Sequence, residues 1–340
     1  MARPLLNVML EMPPPTPELV LIVNLGTPRA ATAEAVTDFL REFLSDPLVV
    51  DYPRILWRPL LERIILRSRP TRVAEMYRSI TSEDGGMPLA RGTEAIAAAL
   101  GSELGPRFEV RQSYRYGDLS IAQQLAEALE AGRSTTVVPL FPQRTASSSE
   151  TIVQCADRAS LAAGGSLVRV TRIPADDAGY IEALADRVRS AGVFQHLVVS
   201  FHGIPRRYDR REGGIYQADC RATVHALVTA LGIAPSDVTL CFQSRFGPEP
   251  WIGPATFDTL QALAKRGVRD VAVIMPGFLT EGLETLEEIG IRGRAAFLAA
   301  GGSGFVMVPA VTAHPAFIAG LAARIRAERQ QYEETTAHAG

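Results

Sequence analysis

The chain has 340 residues, of which 47% are hydrophobic and 21% charged, a globular composition long enough for two domains of ordinary size. Its net charge of −2 does not favour nucleic acid as a partner, and Lys265 is the only lysine. The three cysteines, Cys155, Cys220 and Cys241, are too far apart for a local zinc or iron–sulfur motif, and we expect a reducing, cytoplasmic setting.

The N-terminal segment 1–17 ends in a proline-rich run, and its apolar piece is too short for a signal-peptide core. We expect a flexible tail there and a frayed end over residues 327–340. No apolar stretch reaches the roughly 18–20 residues of a membrane span.

Short apolar runs of strand type alternate with segments of helical pattern. The predicted strands are 19–23, 108–113, 135–140, 167–173, 197–201, 238–242, 271–275 and 305–308. The predicted helices include 33–44, 91–104, 121–131, 180–191, 222–231 and 256–266. This alternation predicts an α/β fold with parallel sheets flanked by helices.

The two halves of the chain share a strand ending. The strand at 19–23 runs into NLGTP (24–28), the strand at 197–201 runs into HGIP (202–205), and both endings contain Gly-x-Pro. Pairing the glycines places Leu25 opposite His202. Chance is the alternative, because short strand–turn patterns recur, but duplication is favoured. It predicts two Rossmann-like domains, 18–160 and 161–326, facing each other across a cleft.

His202 stands where a buried strand must end, because Gly203 permits an unusual turn and Pro205 cannot continue a ladder. Ligands of open α/β sheets bind at that edge, and imidazole can accept a proton or bind a first-row metal near neutral pH. A structural histidine is the plainer alternative, but the position favours function.

A second strand ends in PGF (276–278) and is followed by Glu281, Glu284, Glu287 and Glu288. At helical pitch Glu281, Glu284 and Glu288 share one face. An acidic first turn that complements the helix dipole explains one or two of these residues, but less well four in eight. The pattern therefore predicts a line of carboxylates that passes protons or attracts a cation.

Two further segments are candidates for binding. The loop 243–251 holds Trp251 among prolines, and it either supports a flat ligand or packs as an ordinary surface loop. The segment 55–66 is amphipathic, with Trp57, Leu60, Leu61 and Ile64 on one stripe and seven arginines between Arg54 and Arg78. It is either a core-facing helix or an apolar, cationic lip suited to a hydrophobic anion or a membrane surface. Phosphate-loop, dinucleotide and nucleophile-elbow motifs are absent.

Several of these segments together resemble the ferrochelatase family in its proteobacterial form. The similar motifs are SFHGIP (200–205), FQSRFGPEPW (242–251), PGFxxxxLETLEEI (276–289), LxNLGTP (22–28) and FLSD (43–46). The resemblance covers roughly residues 18–325. It implies a chelatase-like fold and a lyase of heme biosynthesis that inserts Fe²⁺ into protoporphyrin IX with release of two protons.

By the family pattern, His202 and Glu284 are the central pair for catalysis and metal binding, and Glu288 lies one turn along a helix that is often of π form. The residues that match the porphyrin-lining positions are Leu25, Arg69, Arg72, Tyr77, Phe141 and Trp251. The resemblance implies no cofactor beyond the substrate Fe²⁺. The cysteine cluster of animal members is missing, so we expect no iron–sulfur cluster.

The chain departs from the family pattern at three places. Glu281-Gly282 replaces a common Asp-His, Met87 replaces a serine, and Arg144 replaces an aromatic residue. Two roles for His202 stay open at this stage, namely general base for the pyrrole protons or ligand of the incoming Fe²⁺. Rival functions are insertion of iron into coproporphyrin or of cobalt into sirohydrochlorin, and a porphyrin or heme carrier without turnover. We expect a monomer that binds small molecules, with peripheral membrane contact allowed by the lip.

Overall fold

The computed structural model describes residues 16–83, 85–162, 164 and 167–339. Most of the predicted N-terminal tail, residues 1–15, lies outside the described residues. So do residues 163, 165 and 166 of the small-residue stretch at the predicted domain boundary.

All eight predicted strands form, and they assemble into two parallel four-stranded sheets. The strands are β1 (Glu18–Asn24), β2 (Phe108–Tyr114), β3 (Thr135–Pro139), β4 (Val168–Val170), β5 (His196–His202), β6 (Val238–Gln243), β7 (Asp270–Ile274) and β8 (Gly304–Met307). The first sheet has the order β2-β1-β3-β4 and the second the order β6-β5-β7-β8. Every pairing within them is parallel.

Helices connect the strands, as parallel pairing requires. They are α1 (Ala33–Ser45), α2 (Arg54–Leu60), α3 (Leu66–Ser68), α4 (Pro70–Arg78), α5 (Pro88–Leu104), α6 (Ile121–Glu130), α7 (Thr151–Ala162), α8 (Ala178–Ser190), α9 (Arg206–Arg211), α10 (Ile215–Leu231), α11 (Thr256–Lys265), α12 (Arg294–Ala299) and α13 (Pro315–Ala339). Three segments have π geometry, Leu61–Ile65, Ala146–Glu150 and Leu283–Gly293, and Pro235–Asp237 forms a 3₁₀ turn.

The second sheet repeats the strand order of the first, with β5, β6, β7 and β8 in the places of β1, β2, β3 and β4. This repetition supports the duplication predicted from the two Gly-x-Pro strand endings. The first sheet extends past the predicted boundary at residue 160, because β4 begins at Val168 and pairs with β3.

One apolar core joins the two halves. Buried side chains of β1 (Ile22) and β5 (Val199) belong to the same cluster as Leu100 of α5, Tyr180 of α8 and Phe317 of α13. Full burial of such side chains stabilises a fold by about 1.5–3 kcal/mol each. The two halves are therefore held together by packing of their side chains.

The last helix ties the C-terminal end of the chain to the first sheet. Thr171 donates a hydrogen bond to Glu328 at 2.5 Å, and Arg329 donates to Glu18 of β1 at 3.1 Å. The sequence predicts a frayed end from residue 327, and α13 as described runs from Pro315 to Ala339. Among the described residues, no helix is long and apolar enough to cross a membrane.

Candidate active site

The candidate site lies at the carboxyl ends of three neighbouring strands of the second sheet. His202 ends β5, Gln243 ends the adjacent β6, and the loop after β7, on the other side of β5, leads into the π segment that carries Glu284. Parallel strands bring their carboxyl ends to one edge of the sheet, where ligands of such folds bind. The topology therefore gathers residues that are about 40 positions apart in sequence.

The ring of His202 is held in one tautomer. Its Nδ1 lies 2.6 Å from the main-chain oxygen of Gly203, and a carbonyl can only accept, so Nδ1 carries the proton. The neutral ring then has its lone pair on Nε2, for which the described residues supply no hydrogen-bond partner. Tyr216 donates to the main-chain oxygen of His202 at 2.6 Å and fixes the turn from behind. The lone pair of Nε2 is thus available to a proton or a metal.

Glu284 stands in electrostatic contact with His202. Burial raises the pKa of the Glu284 carboxyl above its ordinary 4.5, the charge of His202 opposes this rise, and the charge of Glu288 adds to it. A carboxylate with a raised pKa is a better proton acceptor near neutral pH. The main-chain oxygen of Glu284 accepts a 2.7 Å hydrogen bond from Gln243, whose own side-chain oxygen is bonded by Ser200 at 2.7 Å. Gln243 thus fixes Glu284 relative to β5 and β6.

Glu288 is oriented by one residue. Ser244 donates to it twice, from its main-chain nitrogen at 2.7 Å and from its hydroxyl at 2.6 Å. Ser244 adopts a left-handed conformation with φ of 65°, which is unusual for a residue other than glycine and is often found at functional sites. Glu284 and Glu288 lie on the predicted π helix, Leu283–Gly293, so the expectation of that distorted geometry is confirmed.

The other two glutamates do not join this line, and the predicted row of four carboxylates is wrong in that respect. The π segment begins at Leu283, so Glu281 precedes it, and one of its oxygens accepts the main-chain N–H of Ala310 at 2.7 Å. Glu287 is paired with Arg292 at 2.8 and 2.9 Å. Glu284 is the carboxylate that interacts electrostatically with His202, and it also interacts with Glu288 one turn along the π segment.

The first half supplies the opposite wall through α4 and the end of β1. Burial raises the pKa of the Tyr77 hydroxyl on α4, and the charge of Glu284 raises it further. A hydrogen bond with Thr27 has the opposite, smaller effect on this pKa. Leu25 follows β1 directly and is half-buried, and its N–H donates to the side chain of Asn24 at 2.8 Å. The structure therefore places Tyr77 close enough to Glu284 for the charge of Glu284 to raise the pKa of Tyr77.

A buried amide connects the two walls. The side-chain nitrogen of Asn24 donates to Thr280, in the loop that leads to Glu284, at 3.1 Å. The same Asn24 side chain accepts from Leu25, so one residue sets the Leu25 turn and the Glu284 loop together. Asn24 is 6% exposed, so both bonds are shielded from water and strengthened accordingly.

The remaining predicted porphyrin-lining residues lie in different settings. Arg69 and Arg72 are exposed beside each other, and burial together with the charge of Arg72 lowers the pKa of Arg69. Arg69 stacks on Phe246 at 3.9 Å from the ring centroid, which joins α4 to the loop after β6. Trp251 packs on Gly203, and Phe141 is half-buried against the core of the first sheet.

The three departures from the family pattern have structural counterparts. Arg144 makes a two-pronged ion pair with Asp219 at 2.8 and 2.9 Å. Met87 is 5% exposed and its sulfur accepts from the Thr81 hydroxyl at 3.7 Å. Gly282, in extended conformation, precedes the π segment and donates to Thr285 at 2.9 Å.

The amphipathic stretch 55–66 divides between core and surface. Leu61 is buried in a small cluster that includes Trp57, whose indole N–H donates to the Leu44 oxygen at 2.7 Å. Ile55 and Ile64 are 82% and 57% exposed, and a shallow cavity nearby is lined by three arginines, Arg54, Arg58 and Arg63. The predicted single stripe is therefore split by the change from α2 to the π segment at Leu61.

Three residues of this site were missed as site residues by the sequence analysis. Gln243 and Ser244 end β6 beside the strand that carries His202, so the strand-end argument could have found them once the strand order was known. Asn24 could be found in the same way as the last residue of β1. Nothing in the sequence indicates that Asn24 forms a hydrogen bond with Thr280 in the second half.

Comparison with known proteins gives one consistent result. A family model described as Ferrochelatase matches residues 18–329. A ferrochelatase of Azoarcus sp. is 42% identical over 318 residues, covering 91% of this chain and 87% of the relative. A ferrochelatase of Edwardsiella ictaluri is 44% identical over 300 residues, covering 86% of this chain and 92% of the relative.

Solved structures agree on the fold. The sirohydrochlorin chelatase SirB from Bacillus subtilis subspecies spizizenii, in complex with cobalt, aligns with a TM-score of 0.53 over 91% of this chain and 94% of that one. Its 12% identity shows the shared fold alone. The family match and the identity to curated relatives, both spanning most of the sequence, show that this chain belongs to the ferrochelatase family.

Proposed function

We propose that this protein inserts Fe²⁺ into protoporphyrin IX to give protoheme, as a lyase of heme biosynthesis. The observation that carries the proposal is the pairing of His202 with Glu284 at adjacent strand ends, with a second carboxylate, Glu288, held next to them. Metal insertion must remove two protons from the pyrrole nitrogens. An imidazole followed by two carboxylates is a chemically complete route for those protons.

In this proposal His202 is the general base. Its Nε2 takes a pyrrole proton, and the resulting imidazolium transfers that proton to the carboxylate of Glu284, whose raised pKa favours acceptance. Glu284 then releases the proton toward Glu288, and His202 is left neutral for the next proton. Glu288 is kept in position for this transfer by the two hydrogen bonds from Ser244. The second pyrrole proton follows the same route.

The alternative is that His202 and Glu284 bind the substrate Fe²⁺, since imidazole nitrogen and carboxylate oxygen are both ligands of first-row metals. The single lone pair of Nε2 cannot hold a proton and a metal at once, so the two roles are separable. Binding of Co²⁺ to the porphyrin-free protein distinguishes them. The base assignment predicts similar Co²⁺ affinity in the wild type and in His202→Ala, whereas the ligand assignment predicts that the substitution weakens binding.

We propose that the porphyrin lies between the two walls, with Leu25 and Tyr77 on one side and His202 on the other. Arg69 and Arg72 provide positive charge for the propionate groups, while Phe141 and Trp251 provide apolar surface for the ring. Rigid walls that bind a bent ring more tightly than a flat one expose a pyrrole nitrogen lone pair, which is a use of binding energy for catalysis.

The rival substrates differ in charge. Coproporphyrin and sirohydrochlorin carry more carboxylates than protoporphyrin and favour a more open, basic cleft. The exposed Ile55, Leu56 and Ile64 beside the cavity of the lip favour the less polar protoporphyrin. A carrier without turnover needs an axial ligand but gains nothing from a second, oriented carboxylate such as Glu288.

The test is an anaerobic assay of the purified protein with Fe²⁺ and protoporphyrin IX, followed by the visible spectrum of heme. Coproporphyrin with Fe²⁺ and sirohydrochlorin with Co²⁺ are assayed in parallel. The proposal expects the highest kcat/KM for protoporphyrin. A higher value for either other tetrapyrrole would overturn the substrate assignment, and porphyrin binding without any metallation would support a carrier.

We further propose that the protein is a monomer that contacts membrane surfaces through the lip, where exposed apolar side chains are flanked by arginines. Sedimentation with anionic lipid vesicles tests the contact, and a double substitution of Ile55 and Leu56 by serine is expected to weaken it. Equal sedimentation of both proteins would refute this use of the lip. Light scattering after size-exclusion chromatography tests the monomer.

A further inference from the structure

A polar pocket of about 210 Å³ lies beside the turn that carries His202. Its wall is formed by the ends of β5 and β6, the loop that follows β6, and the first turn of α11. Of the residues proposed above to line the porphyrin, it includes only Trp251. The chemistry of its wall is therefore largely separate from that of the cleft.

The charged groups of this wall are two arginines and one aspartate, Arg206, Arg245 and Asp258, so its net charge is positive. Arg206 donates through Nε to the Trp251 oxygen at 3.0 Å, which uses one of its five N–H donors. Arg245 is exposed, and the described part of the chain offers it neither a hydrogen bond nor an ion pair. Both guanidinium groups have donors to spare.

The first turn of α11 adds a second source of positive potential. The helix runs from Thr256 to Lys265, and Ala255 at its N-cap gives no side-chain hydrogen bond to the first turn. An uncapped N-terminus presents main-chain N–H groups and the positive end of the helix dipole, which together favour an anion. Asp258 in that turn complements the dipole and is the one negative charge of the pocket wall.

An independent sign of a missing acceptor is the indole N–H of Trp251. It is fully buried and has no acceptor among the described residues. Buried polar groups in folded proteins nearly always have a partner, and an exception calls for a bound ion or water. Trp251 is one of the residues that line the pocket, and its indole nitrogen is the one buried side-chain polar atom of that wall without a partner among the described residues.

We propose that this pocket binds one small oxyanion, a phosphate or carboxylate group, through Arg206, Arg245, the N-terminus of α11 and the indole of Trp251. The occupant would sit next to Gly203 and Gln243, the residues that hold His202 and Glu284 in place. The proposal does not depend on the chelatase reaction, because binding can be measured without turnover. The bound oxyanion is either a free anion or a carboxylate group of the porphyrin.

Tryptophan fluorescence provides the first test. The chain has two tryptophans, so the Trp57→Phe variant leaves Trp251 as the only emitter. Titration of this variant with inorganic phosphate at constant ionic strength should give a saturable change. Adding Arg245→Gln should weaken binding by about tenfold or more, the usual effect of losing a hydrogen bond to a charged group.

The matched control is Arg210→Gln, which removes the same charge from an exposed arginine of α9 outside the pocket. Phosphate affinity should be unchanged in that variant. Absence of a saturable response in the Trp57→Phe protein would overturn the proposal. Equal weakening by Arg210→Gln and Arg245→Gln would also overturn it, because it would show a general electrostatic effect.

Calorimetric titration of phosphate in the presence of porphyrin separates the sources. If a porphyrin carboxylate occupies the pocket, protoporphyrin displaces phosphate and its dimethyl ester does not. If the occupant is a free anion, phosphate binds equally well with either porphyrin present. Displacement by both compounds would place the pocket inside the porphyrin cleft and contradict a distinct oxyanion site.

Discussion

Gly203→Ala is expected to damage the site through a single methyl group. A Cβ at Gly203 would lie 2.8 Å from the main-chain oxygen of Gln243 and 3.1 Å from Cε3 of Trp251. Neither neighbour can yield freely, because the Gln243 oxygen also accepts the Gly203 N–H at 2.8 Å. The ends of β5 and β6 must therefore separate, and His202 moves relative to Glu284.

The magnitude follows from two opposing terms. Overpacking of this kind costs about 1–3 kcal/mol, while replacing glycine by alanine stabilises by about 0.4–1 kcal/mol through the unfolded chain. We expect a net loss of about 1–2 kcal/mol in the free energy of unfolding, seen as a lower urea midpoint at unchanged slope. A displacement of about 1 Å at the catalytic pair should lower kcat by roughly a hundredfold.

Gly277→Ala is the matched control, at the corresponding turn after β7. A Cβ there would meet its nearest atoms at 3.5 and 3.6 Å, which is ordinary contact. This variant should unfold at the same or a higher urea concentration than the wild type. If Gly203→Ala were as stable and as active as Gly277→Ala, the inference that close contact at Gly203 sets the His202–Glu284 geometry would be refuted.

Three other predictions concern charge. Burial raises the pKa of Glu284, and the charge of Glu288 raises it further. Glu288→Gln should therefore shift the acidic limb of the kcat/KM–pH profile to lower pH. An unchanged limb would disprove the electrostatic coupling between Glu284 and Glu288. Since the folded pKa of Glu284 exceeds its ordinary 4.5, ionisation destabilises the fold as pH rises through that window. Glu284→Gln should then melt at a higher temperature than the wild type at pH 8, with the difference vanishing near pH 4; a lower melting temperature at pH 8 would contradict this. Arg144→Phe should cost about 1–2 kcal/mol of unfolding free energy while heme formation continues, because it leaves the buried Asp219 without its ion pair; an unchanged urea midpoint would show that the pair contributes nothing.

The strands and the strand-end position of His202 could be predicted because their signals are local. An apolar run followed by a glycine and a proline marks a strand end wherever it occurs, and this places His202 correctly. The family motifs then select Glu284 and Glu288 from several acidic residues. The two similar strand endings likewise indicated a duplication, and the two sheets have the same strand order.

The features that the sequence does not predict are the exact start of the π segment and the contacts between residues far apart in sequence. The assignment of Glu281 to the carboxylate line failed because it assumed that the helix begins before residue 281, whereas Gly282 delays the start to Leu283. Because the π segment begins at Leu283, Glu287 lies where it pairs with Arg292. Contacts such as Asn24–Thr280, which join residues 256 positions apart, have no periodic signal in the sequence.

Two features of the site lower the stability of the fold. Glu284 is a half-buried ionisable group whose pKa is raised by desolvation, and Ser244 holds a backbone conformation that a non-glycine residue rarely adopts. Both features cost folding free energy, and in the proposed mechanism both serve the orientation of a proton acceptor. We expect them to be tolerated because the large shared core of the two halves supplies the stability.

The most direct test of the central claim is metallation by His202→Ala, measured anaerobically with Fe²⁺ and protoporphyrin IX alongside porphyrin affinity by fluorescence titration. We expect that porphyrin still binds to this variant while kcat falls by about 10²–10⁴, the range for loss of a general base. Heme formation at the wild-type rate by this variant would contradict the assignment of His202 and, with it, the proposed route of the protons.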